Sequence, residues 1–162
     1  MAGRRLLLIF ALVLLVLLFT AAASVFARTV HQGGGTSPAA PLTTWTFQGK
    51  VFRGNVGDEG YPLPGVTVRM YGANNQGEWG TQIRYTTTGV DGWYSLYATS
   101  DDGAWEYLNI VEEDLPGYYS VGATSVSGTV RGANWIQFVD PPRADTTFTG
   151  NKFWDKVNEE AG

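Results

Sequence analysis

The chain has 162 residues, with 11 lysines and arginines against 15 aspartates and glutamates, no cysteine and one histidine, His31. The missing thiols exclude disulfide frameworks, thiolate zinc sites and cysteine nucleophiles. A lone histidine in a linker-like stretch leaves no multi-histidine metal centre and no Ser–His–Asp triad, and the acidic balance argues against nucleic acid as a partner. Aromatic residues make up 14% of the chain, charged residues 16%, and glycine occurs 21 times. Enough apolar area is present to offset chain entropy, so the composition is not disordered, and its glycine and β-branched content does not favour helices.

Residues 6–23 carry no charge and follow Arg4 and Arg5, the n-region and h-region pattern of an export signal. Small residues at Ala21-Ala22-Ala23 and at Val25-Phe26-Ala27 offer cleavage sites. The run is also long enough to cross a bilayer. Residues 1–27 therefore read as a signal peptide or a retained N-terminal membrane anchor. Both readings place the rest of the chain outside the cytoplasm, extracellular or at the cell surface, and any membrane contact comes only through this segment. Removing it takes away two arginines and no acid, leaving 135 residues with 9 basic and 15 acidic groups, a net −6. Residues 28–44 (RTVHQGGGTSPAAPLTT) read as a flexible linker.

From Trp45 onward the pattern is strand, turn, strand. Residues 45–52 place Trp45, Phe47 and Val51 on one face; residues 65–71 place Val66, Val68 and Met70 on one face and Thr67 and Arg69 on the other. Runs 81–87 and 93–98 flank Gly89-Val90-Asp91-Gly92, and an Asp-Gly pair between alternating runs predicts a hairpin. Further runs lie at 105–112, 118–121, 134–139 and 146–154. About seven to eight short strands at regular spacing predict an all-β antiparallel sandwich, with 45–155 as its domain and 156–162 as a C-terminal tail.

Three motifs occur in a fixed order. Leu63-Pro64-Gly65-Val66-Thr67-Val68 is followed by Thr86 to Leu96 (TTTGVDGWYSL), then by Val111-Glu112-Glu113 with Pro116-Gly117-Tyr118. The set resembles SdrD B-like and Cna B-type domains, and carboxypeptidase regulatory-like domains look similar. The resemblance covers about residues 45–155. It implies a prealbumin-like, Ig-like Greek-key sandwich of the kind found as stalks, spacers and adhesin modules on bacterial surfaces.

Three groups of residues carry candidate chemistry. Glu112 shares strand parity with Leu108 and Ile110, which should face the core, and a carboxylate there is costly unless it is paired or neutral. The Cna B-type resemblance implies an intramolecular isopeptide bond between Lys50 and Asn151, promoted by Glu112. Parity sets Lys50 on the face opposite Phe47 and Val51, against that crosslink. The SdrD B-like resemblance implies calcium in the loop after the first strand, where Asn55, Asp58 and Glu59 offer oxygen ligands, too few for a complete shell. Finally, Trp79 lies in a polar loop, and Trp93 and Tyr97 have a parity opposite to Tyr94 and Leu96. Exposed rings of this kind stack on sugars or on a protein partner.

The expected function is a non-catalytic secreted or surface-tethered bacterial module with a structural or adhesive role. Its partner would be a cell-surface protein or polysaccharide, with no cofactor unless calcium binds. The alternative is a small carbohydrate-binding module that uses exposed Trp and Tyr. No nucleophile has an identifiable base, so catalysis is not expected.

Overall fold

Alternation of apolar and polar side chains dictates most of the strands. The structure, a computed structural model, describes residues 41–159. The signal or anchor at 1–27, most of the linker and the last three residues of the tail lie outside the described residues. In β1 (Thr44–Arg53), Trp45, Phe47, Gly49 and Val51 are buried and the residues between them are partly exposed. β2 (Thr67–Ala73) buries Val68 and Met70, with Val66 just ahead of it, and β4 (Trp93–Thr99) buries Tyr94, Leu96 and Ala98. β3 (Thr81–Thr87) is a polar edge strand. β5 (Tyr107–Glu113) is buried on both faces, β6 (Tyr118–Thr124) is half-exposed, and β7 (Thr129–Gly132) and β8 (Trp135–Val139) are short. β9 (Thr146–Val157) closes the domain.

The strands form two sheets, one of order β4-β1-β9-β6 and one of order β3-β2-β5-β8-β7. Facing side chains fill the space between them. Phe47, Tyr94, Leu96 and Phe153 from the first sheet meet Val68, Met70, Leu108, Ile110, Ile136 and Phe138 from the second. Phe47 sits at the centre, edge-on to Phe138 and stacked on Phe148, with both centroids 4.8 Å away. Such ring pairs add to the burial of their area.

The all-β sandwich read from the sequence is present, with nine strands among the described residues instead of seven or eight. β7 is the addition: it spans four residues, and Thr129 and Val130 are exposed, so no buried alternation marks it. The Asp-Gly turn does not make the expected hairpin. β3 pairs with β2 and β4 pairs with β1, so the turn carries the chain from one sheet to the other. Local hydrogen bonds tighten it, from Gly92 N to Gly89 O and from Gly89 N to Trp93 O, both at 2.9 Å. Buried Thr88 then ties it to the loop before β2. Its Oγ1 donates to Leu63 O at 2.7 Å and accepts from Val66 N at 2.9 Å. These bonds turn the strand ends away from each other, as at the corner of a sandwich.

Among the described residues, β1 and β9 are the one parallel pair. Their register shifts between Phe47 and Gly49, and Gly49 lies opposite Asn151. A Cβ on Gly49 would run into the Asn151 carbonyl oxygen and lie 2.6 Å from Tyr94 Oη, so only glycine lets the strands approach here. Gly49→Ala should destabilise the fold by about 3 kcal/mol or more, read as a lower urea midpoint. A change under about 0.5 kcal/mol would show that the ladder does not need this contact.

Candidate functional site

The end of the sandwich beside β5 and β9 holds an unusual set of side chains. Glu112 continues the inward face of Leu108 and Ile110 and is 1% exposed. Asp155 continues the inward face of Asn151 and Phe153 on β9 and is 0% exposed. Asp114, just past β5, is exposed and closes the group from the solvent side. One oxygen from each of the three carboxylates lies within 4.8 Å of the others. Ser120, opposite Asp155 in the β6–β9 register, sits 3.0 Å from Glu112 Oε2 and 2.7 Å from Asp114 Oδ1. A hydroxyl has one proton, so Ser120 donates to only one of these acids at a time. Glu112 Oε1 and both Asp155 oxygens have no hydrogen-bond partner.

Burial pushes both inner acids upward. Glu112 is raised to about 8, first by burial and then by the negative charges of Asp155 and Asp114. Asp155 is raised to about 7 by burial and by Asp114. Tyr94, buried beside them, is also raised, by burial and then by the charge of Glu112.

The structure places the isopeptide candidates apart. Lys50 lies on the outer face with Nζ 3.8 Å from Asp91 Oδ2. Asn151 is buried: its Nδ2 donates to Gln48 O and Phe148 O at 3.0 and 3.1 Å, and its Oδ1 accepts from Ser125 at 2.7 Å. The residue facing Asn151 across the ladder is Gly49, which has no side chain to offer. Glu112 is sealed in the interior, on the core face its parity predicts.

The loop candidates are engaged locally. Asp58 Oδ2 accepts from Asn55 N at 3.0 Å and from Asn55 Nδ2 at 3.3 Å, and Glu59 pairs with Lys152. Trp154 Nε1 donates to Asp58 O at 2.9 Å and so holds the loop against the outer face of the first sheet.

The aromatic candidates fall in two places. Trp93 and Tyr97 lie on the outer face of β4, 40% and 49% exposed. The Arg84 guanidinium covers Tyr97 at 4.2 Å from the ring centroid. Trp93, Lys50 and Lys152 form one register row across β4, β1 and β9, beside a groove of about 270 Å³ that Glu59 also lines. Trp79 is 45% exposed and leans on Tyr71 and Trp135, at centroid distances of 5.8 and 6.2 Å. Its loop is fastened to the second sheet by buried Asn109, whose Nδ2 donates to Glu78 O and Trp79 O.

Sequence reasoning misses Asp155 and Ser120, and it reads Asp114 only as part of the acidic run Glu112-Glu113-Asp114, a solvated loop edge. A signal for Asp155 was there: it has the parity of Phe153, so one face of β9 reads Asn151, Phe153, Asp155. Ser120 and Asp114 become partners only through the tertiary fold.

No protein-family model matches the chain, and no curated protein matches it. Solved structures of similar shape include a double mutant of the shaft pilin SpaA from Lactobacillus rhamnosus GG, at 13% identity and a TM-score of 0.44. The match covers 74% of this chain and 52% of that one. Another is 3-chlorocatechol 1,2-dioxygenase from Rhodococcus opacus 1CP, at 14% identity and a TM-score of 0.43, covering 74% of this chain and 62% of that one. The chain thus spans about half the length of the pilin. A pilin and an enzyme at equal similarity define no function.

The two raised acids make a signed prediction. The folded chain holds protons that the unfolded chain releases, from the ordinary carboxylate range up to about 8 for Glu112 and about 7 for Asp155. The cluster therefore destabilises the fold increasingly as pH rises through that window. In buffer stripped of divalent ions, urea stability should fall between about pH 5 and about pH 8.5 by on the order of 2 kcal/mol or more. Glu112→Gln should flatten the profile. Stability that rises over this range would contradict the placement of these acids.

Proposed function

We propose that the chain is a non-catalytic β-sandwich module of the SdrD B-like and Cna B-type kind. In this reading it is exported by its N-terminal segment and has a structural or adhesive role at a bacterial cell surface. The observation that carries the reading is the parallel pairing of β1 with β9. Parallel neighbours at the two ends of a domain send the chain out at opposite ends. Tension between them then shears the whole ladder, loading its eight register pairs together. At about 3.3 Å per residue, a β9 of twelve residues holds the two exits roughly 40 Å apart. A load-bearing spacer needs this geometry.

Two measurements test the reading. On intact cells making the full chain, external protease should digest the sandwich; complete protection would place it inside and defeat the proposal. In single-molecule pulling, forced unfolding follows the unfolding barrier. Load applied through Thr44 and Val157 should unfold the domain at a force at least about twofold higher than load applied through Thr44 and Thr99, which face each other at one end of the β1–β4 pair. Equal forces would remove the mechanical argument.

A specific observation favours a second reading as a carbohydrate-binding module. Trp93 is 40% exposed and lines a groove with Lys50, Lys152 and Glu59, an apolar ring next to polar groups that suits a sugar. If it operates, a cell-wall polysaccharide should quench Trp fluorescence saturably, and Trp93→Ala should weaken binding at least about tenfold, with Trp79→Ala as the comparison. No saturable binding to any glycan would leave only the structural reading.

A further inference from the structure

We infer that Glu112, Asp114 and Asp155, with the Ser120 hydroxyl, form a binding site for a calcium ion at the β5–β9 end of the sandwich. Three carboxylates converge there, and none takes part in any of the four ion pairs among the described residues. Arg53, which faces Asp155 in the β1–β9 register, instead lies over the Tyr61 ring at 5.3 Å. The charge of the cluster thus has no partner within the described protein.

The unpartnered atoms give the independent sign. Asp155 is fully buried with both carboxylate oxygens unbonded, and Glu112 is buried with Oε1 unbonded. Leaving one buried polar atom unsatisfied costs about 1–3 kcal/mol, and more when it is charged, and here two side chains that carry such atoms, Glu112 and Asp155, belong to one carboxylate cluster. The spacing suits a cation lying between them.

The donor set and its size narrow the choice of ion. All the ligand atoms are oxygen, which selects a hard cation over zinc or copper. Calcium takes oxygens at about 2.3–2.6 Å, so donors on opposite sides of the ion are roughly 4.6–5.2 Å apart. The carboxylate oxygens here, within 4.8 Å of one another, already fit inside that sphere. Magnesium, at about 2.0–2.1 Å with near-octahedral demands, would need the set drawn in. Three carboxylates, which can bind through one or two oxygens each, and one hydroxyl supply most of a calcium shell, and water completes it past exposed Asp114. Strand β5 belongs to one sheet and β6 and β9 to the other, so the bound ion would tie the two sheets together where β9 leaves the domain. The loop at Asn55, Asp58 and Glu59 differs, because it is exposed and its acids already have partners, Asp58 Oδ2 in Asn55 and Glu59 in Lys152.

The test uses the full chain, stripped with a chelator and then titrated with calcium chloride. Calcium at a hundredfold excess over its Kd should raise Tm by on the order of 10 °C, and terbium should bind competitively with sensitised luminescence. Asp155→Asn removes a buried charge and keeps the shape. Without metal it should melt no lower than the unchanged chain, and it should lose the calcium shift. Asp114→Asn, at an exposed position, should fold normally and weaken calcium at least about tenfold, so the site stays testable even if Asp155→Asn fails to fold. No calcium shift and no terbium signal in the unchanged chain would overturn the assignment. So would a full shift retained in both variants, or an equal shift with magnesium.

Discussion

The parallel ladder between β1 and β9 brings the two ends of the domain into the middle of one sheet, and much of the interior follows from it. With β9 beside β1, the alternation of β9 aims Asn151, Phe153 and Asp155 inward. Phe153 joins the apolar cluster around Phe47 and Tyr94. Asn151 meets Gly49, and its Nδ2 donates to one carbonyl on each strand at the register shift, Gln48 O and Phe148 O. With Ser125 donating to its Oδ1, the buried Asn151 side chain is satisfied at both ends. On the outer face the same register puts Trp154 on Phe52, and the two rings hold the following loop in place.

The ladder also sets the electrostatics. It carries Asp155 to the point where Glu112 arrives from the opposite sheet, and neither acid forms an ion pair among the described residues. Elsewhere the fold treats charge conventionally. Arg84 bridges Asp102 and the Tyr97 carbonyl, and Arg69 pairs with Glu113 near solvent. Polar groups buried on the second sheet are saturated as well: Asn109 and Gln137 bond each other, Trp135 and the loop above. Against that background the carboxylate cluster stands apart. Among the described residues, nearly every buried polar side-chain atom is bonded and three carboxylate oxygens of Glu112 and Asp155 are not, the contrast on which the proposed ion site rests. An ion there would fasten the two sheets beside the exit of β9, the end where a tethered module transmits load.

Much of the fold was legible because one face of most strands is apolar. Trp45, Phe47 and Val51, and likewise Val66, Val68 and Met70, declare their sheets by period two. Two features were not legible. Strand pairing across the chain depends on sheet order, so neither the parallel β1–β9 pair nor the sheet change at Asp91-Gly92 leaves a local mark; the turn residues look the same whether the strands after them pair or part. β7 is too short and too exposed to show a pattern. At the site, Glu112 stands out because its parity sets a charge among apolar neighbours, and Asp155 obeys the same rule on β9. Asp114 and Ser120 sit in loop and edge positions where acids and serines are ordinary, and only the fold turns them toward Glu112.

The most direct test of this account is native-state hydrogen exchange on the full chain, resolved by residue. If the β1–β9 ladder is the pairing on which the rest depends, its amides should exchange only through global unfolding and be among the slowest in the molecule. Amides of edge strands β3, β6 and β7 should exchange by local opening. Slowest exchange in β2, β5 and β8, with β1 and β9 opening on their own at lower free energy, would contradict it and make the five-stranded sheet the foundation of the fold.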